Sequence, residues 1–406
     1  MPKKSVRPFP KKPVKKPGAW RKVLLGLAGL IGLAILAVAG FIIYSAVRRS
    51  QPVSLPVPTG PYAVGRMEFD WTDPARLEIF SGRQGQHREI SAWVWYPAEP
   101  GSGQPAPYLP KAWADARSAD RAPAQVFFQD LNRVQSHSLQ NAKLIAGSQR
   151  FPVIVFSTGY GGIAPEYATL EEDLASRGYV VVGVTNPYSA PQVVFPDGRQ
   201  VDRTAAGSIS EESQAASVQT AQRLVAVWSL DIRLALDQIE RMDTDPASPF
   251  SSRLDINKVG LTGHSLGGAA SVLACGNDFR CKGAVDLDGT LYGDPASIGI
   301  GPPVFFVTSE PAGGEPGDEP TFAASKKHGA QQVEILGAHH FNFEDYSLTY
   351  MPLFHILGAL GPVDGARALQ ASRDLLADFF GERLLQQPGG VGAVLQKYPG
   401  LLVLRR

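Results

Sequence analysis

The feature that most restricts the fold of this 406-residue chain is a short turn, Gly263-His264-Ser265-Leu266-Gly267. It lies between the apolar run KVGLTG (258–263) and the helix-forming LGGAASVLAC. No other G-x-S-x-G occurs in the chain. A strand that passes into a helix through so tight a bend crowds the side chains on either flank. Glycine removes the collision and leaves the serine at the carboxyl edge of the sheet. The helix that follows aims its first N–H groups at the place where negative charge would develop.

The surroundings suit that turn. From Phe151 onward, apolar runs alternate with helical stretches: PVIVFS (152–157), YVVVGV (179–184), KVGLTG, GAVDLD (283–288), PVFFVT (303–308) and QVEILG (332–337). Helices are expected near 165–177, 214–242 and 266–275. Fully apolar strands separated by helices indicate a parallel sheet covered on both faces. The fold class is therefore α/β: an α/β-hydrolase fold with a mostly parallel central sheet and helices on both faces. The catalytic domain is expected over 61–386. ISAWVWY (90–96) reads as an early strand, and 97–150 as a polar insertion over the sheet edge or the site entrance. An amphipathic stretch near 369–385 reads as the last helix, and 387–406 as a tail of open role.

The N-terminus differs. Residues 1–22 carry nine Lys or Arg and no acid, and removing these nine from a net charge of +1 leaves −8 for the remainder. A mildly acidic body argues against nucleic acid as a partner. Residues 23–47 hold no charged side chain. About 20 apolar residues span a bilayer core, so this run reads as a transmembrane anchor joined to the body by a Pro-rich linker (48–60). The basic arm stays on the cytoplasmic side and the catalytic domain lies outside. Arg48 and Arg49 oppose that orientation but are outnumbered. The alternative is secretion after cleavage of a signal peptide, for which Ala37-Val38-Ala39 offers small residues. Cys275 and Cys281 are read equally as a disulfide, permitted by export, or as two small apolar residues. No Cys/His pair has metal-ligand spacing, so no metal is expected.

A serine hydroxyl becomes a nucleophile when an imidazole accepts its proton. The histidine comes last in the chain order of this fold. That sets aside His87 and His137, while His264 lies within the elbow and points elsewhere. His328 reads as solvated and His355 as packed. His339 and His340, in the loop after QVEILG, remain, and spacing does not choose between them. For the orienting acid, one location is the loop after PVFFVT, with Glu310, Glu315, Asp318 and Glu319. The other is the end of GAVDLD, with Asp286 and Asp288, and Asp288 at the strand tip is preferred. Glycines in FSTGYGG (156–162) let backbone amides turn toward the site. The oxyanion donors are placed at Tyr160 and Leu266, and one such donor contributes about 2.7–4 kcal/mol to the transition state. The same stretch fits a dinucleotide-binding G-x-G-x-x-A, but the strand YVVVGV ends in Thr185-Asn186 without the acid a ribose needs.

Several motifs together resemble the platelet-activating-factor acetylhydrolase family of α/β-hydrolases, over about residues 58–385. They are TGPYAVG, WYPA (95–98), VFSTGYGG (155–162), NPYSA with VFPDGR (186–199), TGHSLGGAA (262–270), VDLDG (285–289) and HHFNFED (339–345). The resemblance implies an acid in an L-D motif, which falls on Asp288. It also implies a histidine opening H-x-N-F, which falls on His340, and a first oxyanion donor at Tyr160. The family's strand motif usually has His where Thr158 stands. Ester hydrolysis without a cofactor is thus expected, carried by Ser265, His340 and Asp288, on short-acyl esters or acetylated phospholipids. A general carboxylesterase or polyester hydrolase uses the same residues. A silent hydrolase fold serving as an envelope scaffold is the reading from another class.

Overall fold

In the computed structural model, residues 18–122, 124–292, 301–310, 330–350 and 353–405 are described. The basic residues of 1–17, the acids Glu315, Asp318 and Glu319, and His328 lie outside them.

Strands are β1 (Val53–Ser54), β2 (Ala63–Leu77), β3 (His87–Ala98), β4 (Gln104–Pro107), β5 (Val134–Gln140), β6 (Phe151–Ser157) and β7 (Val180–Thr185). They continue with β8 (Gln192–Val194), β9 (Gln200–Asp202), β10 (Leu254–His264), β11 (Cys281–Leu287), β12 (Val304–Ser309), β13 (Gln331–Ile335) and β14 (Leu402–Arg405). Twelve form one sheet in the order β1-β5-β2-β3-β7-β6-β10-β11-β12-β13-β14, with β4 on β5. The centre from β7 to β13 is parallel, while β3 and β14 pair antiparallel with their neighbours.

The longer helices are α1 (Ala19–Ser50), α2 (Lys111–Asp120), α3 (Ala168–Ser176), α4 (Gln214–Thr244), α5 (Leu266–Asn277), α6 (Gly365–Leu385) and α7 (Val391–Lys397). Side chains alternate across each strand. Ile154 and Phe156 of β6 pack with Leu170, Leu174 and Leu375 under α3 and α6. Val153 and Val155 pack with Leu224, Ile232 and Val272 under α4 and α5. Both faces are dry, which is why these strands read as unbroken apolar runs.

Residues 97–150 supply more than loops. Their β5 pairs with both β1 and β2 and so belongs to the sheet, and Tyr108, Trp113 and Leu131 are buried. The tail likewise adds α7 and β14, which closes the β13 edge. Cys275 and Cys281 form a disulfide, with Cα atoms 5.2 Å apart, that ties the end of α5 to the start of β11. Helix α1 contains one stretch, Trp20–Ser50, long and apolar enough to cross a membrane. Its side chains are mostly exposed.

Candidate active site

The parallel strands deliver their loops to one edge, and the candidate residues meet there. Ser265 sits between β10 and α5 with φ 57° and ψ −127°, a conformation that costs a non-glycine residue energy and is held by its surroundings. Its N–H donates to the carbonyl of Leu287 at 2.9 Å, and its carbonyl accepts from Ala269 N at 3.1 Å. The flanking glycines are sterically required: a Cβ on Gly263 or Gly267 would collide with the backbone of Ser157. Leu266 is the first residue of α5, so its N–H has no acceptor within the helix.

His340 leaves the loop after β13 as the first residue of a short 3₁₀ turn, His340–Phe343. Its Nε2 lies 2.9 Å from Ser265 Oγ and its Nδ1 lies 2.7 Å from Asp288 Oδ2. The side chain is 43% exposed, so solvent and a ligand reach it. Asp288 follows β11 with φ 54°. Its Oδ1 accepts from Ser309 N at 2.6 Å and its Oδ2 from Ser309 Oγ at 3.0 Å. Burial pushes the Asp288 carboxyl up, but hydrogen bonding and charge from His340, with the Ser309 amide, outweigh it and hold the pKa below the usual range. An ionised carboxylate at Nδ1 keeps the proton on that nitrogen and leaves Nε2 free to accept from Ser265.

The neighbours do other work. His339 Nδ1 donates to the carbonyl of Gly358 at 2.8 Å, and its backbone N–H to Asn342 Oδ1. Asp286 accepts from Gly289 N at 2.9 Å, beneath the elbow. Glu310 accepts from Gly337 N at 2.8 Å and so braces the loop after β13. His355, expected to be packed, is exposed and donates to Gly361 O at 2.6 Å.

Tyr160 occupies a turn closed by Gly162 N donating to Gly159 O at 3.0 Å. Gly161 has φ +81° there, the left-handed position that such a turn reserves for glycine. Thr158 donates its N–H to Val184 O at 3.3 Å and is buried. A cleft of about 430 Å³ opens beside Tyr160, lined also by Ile209, Ser210, Glu211, Ser213, Gln214 and Ser217. Among the described residues no three His, Cys, Asp or Glu side chains cluster as metal ligands would.

Sequence reasoning did not find Ser309, Tyr167 or Glu344. Ser309 lies 21 residues from the carboxylate it holds, and its only sequence signal is its place at the tip of β12. Tyr167 carries no motif of its own, and Glu344, although it falls within HHFNFED, carries no mark of this contact. His264 does not point away from the site: it contacts the His340 loop.

A ferulic acid esterase from Streptomyces cinnamoneus has the same fold, with a TM-score of 0.72 and 26% identity over 87% of this chain and 99% of that one. The sheet, the elbow and this neighbour define a serine ester hydrolase of the α/β-hydrolase class. Platelet-activating factor acetylhydrolase of Cavia porcellus is 23% identical over 373 residues, spanning 86% of this chain and 78% of that protein. The Canis lupus familiaris protein of the same name is 24% identical over 336 residues, 75% and 70% of the two chains. The chain belongs to the family described as platelet-activating factor acetylhydrolase, isoform II, whose model matches residues 48–387.

Proposed function

We propose that Ser265 is the nucleophile of this hydrolase, His340 its general base and acid, and Asp288 the group that orients His340. The observation that carries this is the unbroken chain of hydrogen bonds from Asp288 through His340 to Ser265, at 2.7 and 2.9 Å. Ser265 Oγ adds to the ester carbonyl as Nε2 takes its proton. The tetrahedral intermediate collapses, His340 returns the proton to the departing alcohol, and an acyl-serine remains. Water then repeats the sequence and frees the acid and Ser265. The N–H groups of Tyr160 and Leu266 are assigned to the oxyanion.

The substrate class is a short-acyl ester on a phospholipid, by analogy with relatives named for acetyl hydrolysis. A general carboxylesterase is the second reading, favoured by the likeness to a ferulic acid esterase and by the hydroxyl-lined cleft beside Tyr160. Comparing kcat/KM on an acetylated ether phospholipid, p-nitrophenyl acetate and methyl ferulate separates the two. Preference for the phospholipid supports the first, and preference for methyl ferulate the second. Ser265→Ala should remove hydrolysis of every ester.

Helix α1 is assigned as a single-pass anchor with residues 1–22 in the cytoplasm and the domain from 61 onward outside. The nine cations of residues 1–22, which precede its uncharged run, support that orientation. Retention of the full chain in membranes washed with alkaline carbonate is the expected result, and release into the wash would favour the cleaved, secreted form.

A further inference from the structure

One buried imidazole has no part in the scheme above. His264 precedes Ser265 in the elbow and is 1% exposed. Its ring centroid lies 4.6 Å from that of His340. Both nitrogens are engaged. Nε2 lies 2.9 Å from the backbone carbonyl oxygen of His340, and Nδ1 lies 3.0 Å from Tyr167 Oη and 3.0 Å from Glu344 Oε1. A carbonyl oxygen only accepts, so Nε2 carries the hydrogen and donates.

Nδ1 is then an acceptor if the ring is uncharged. Burial provides for that by lowering the His264 pKa to about 4. Burial also lifts Glu344 to about 8, so at neutral pH its carboxyl keeps a proton it can donate. The His264–Glu344 contact is therefore a hydrogen bond between neutral groups and not an ion pair. The Tyr167 hydroxyl also accepts from Gly159 N at 3.0 Å, one residue before Tyr160. A Cβ on Gly159 would stand 2.9 Å from His264 Nδ1 and 3.1 Å from Tyr167 Oη, so glycine is needed for this approach. The further charged or titratable groups acting on Glu344 are Glu166, Arg117 and His340, while Asp288 acts on His264.

We propose that His264 is a positioning residue for the hydrolytic reaction: as an Nε2–H donor to the His340 carbonyl, held in that tautomer by Tyr167 and Glu344, it fixes the backbone from which His340 reaches Ser265. The inference rests on the roles assigned to Ser265 and His340 above. A ring beside His340 must also stay uncharged while His340 gains its proton, because a second cation at this distance would oppose the step. Through Tyr167 the same cluster joins the His340 loop to the turn that bears Tyr160. Tetrahedral addition needs both at once.

The test uses the full chain in detergent with p-nitrophenyl acetate, comparing His264→Phe, His264→Gln and His340→Ala. Phenylalanine fills the ring's volume without a donor, while the glutamine amide nitrogen reaches the same carbonyl. His264→Phe is expected to lower kcat by roughly 10–100-fold with KM nearly unchanged, as small misplacement of a reacting group does. His264→Gln should recover most of that loss. Wild-type kcat in a folded His264→Phe, or equal losses in both variants, would overturn the proposal. If His264→Phe does not fold, the ¹⁵N resonances of histidine-labelled wild type decide. An Nε2–H tautomer at His264 at neutral pH supports the proposal, and an Nδ1–H tautomer or an imidazolium overturns it. Wild-type activity in His340→Ala would instead overturn the assignment on which the proposal rests.

Discussion

Asp288 shows how a single residue is prepared for the role proposed for it. Its left-handed φ of 54° turns the carboxylate out of β11, and Ser309 holds it with one amide and one hydroxyl. Asp288→Asn keeps the shape but removes the charge that holds the proton on Nδ1, so kcat should fall by about 10⁴-fold. Ser309→Ala removes one of several bonds to the carboxylate and should lower kcat/KM by about tenfold, in keeping with ~1.5 kcal/mol for a charge-assisted hydrogen bond. Steady-state kinetics on p-nitrophenyl acetate measure both, and an unchanged kcat/KM in Ser309→Ala would deny Ser309 a supporting place. At this scale the sequence was legible where chemistry leaves a local mark. Ser265 is marked by its glycines and Asp288 by its place at a strand tip. His339 and His340 were not separable by spacing, because only the backbone turn decides which ring faces β10. Ser309, Tyr167 and Glu344 make contacts across distant parts of the chain, and even for Glu344, inside HHFNFED, no local spacing marks the contact.

Elements set the distances between those residues, and α4 illustrates how one is fixed. Asp231 of α4 meets Arg88 of β3 at 2.6 Å, Arg88 meets Glu78 at 2.7 Å, and all three side chains are buried. Removing one partner leaves a buried guanidinium undercompensated, which typically costs about 3–5 kcal/mol. Asp231→Ala should therefore lower the melting temperature clearly, with little effect on KM, and an unchanged melt would mean that the cluster does not clamp α4. Strands β6 and β7 could be read from sequence because every residue is buried and most are apolar, and β10 and β11 because their later residues are buried. Strand β5, VQSHSLQ, lies near the sheet edge, is half exposed and polar, and carries no such period. β14 is apolar but short, and only its partner β13 makes it a strand.

Across the whole molecule, ionisation links the site to stability. Burial raises Glu344 and Asp345, both in the loop that carries His340, to about 8, whereas an unfolded carboxyl ionises near pH ~4. Between those values the folded chain keeps protons that the unfolded chain has lost. Stability therefore falls as pH rises, by up to about 1.4 kcal/mol per pH unit for each group. His264, lowered to about 4 by burial, acts oppositely only up to about pH 6.5, where the unfolded ring deprotonates. Above about pH 6.5 the acids act alone among these three. Melting temperature should decline from about pH 6.5 to 8, and Asp345→Asn should flatten the decline. A wild-type melt independent of pH in that window would contradict this.

The mechanism proposed here stands on the contact between His340 and Ser265, and a fluorophosphonate reports it directly. Full-length protein should react covalently at Ser265, with the adduct located by peptide mass spectrometry, and His340→Ala should react at least ~100-fold more slowly. An adduct on another residue, or equal labelling rates in the two proteins, would contradict it.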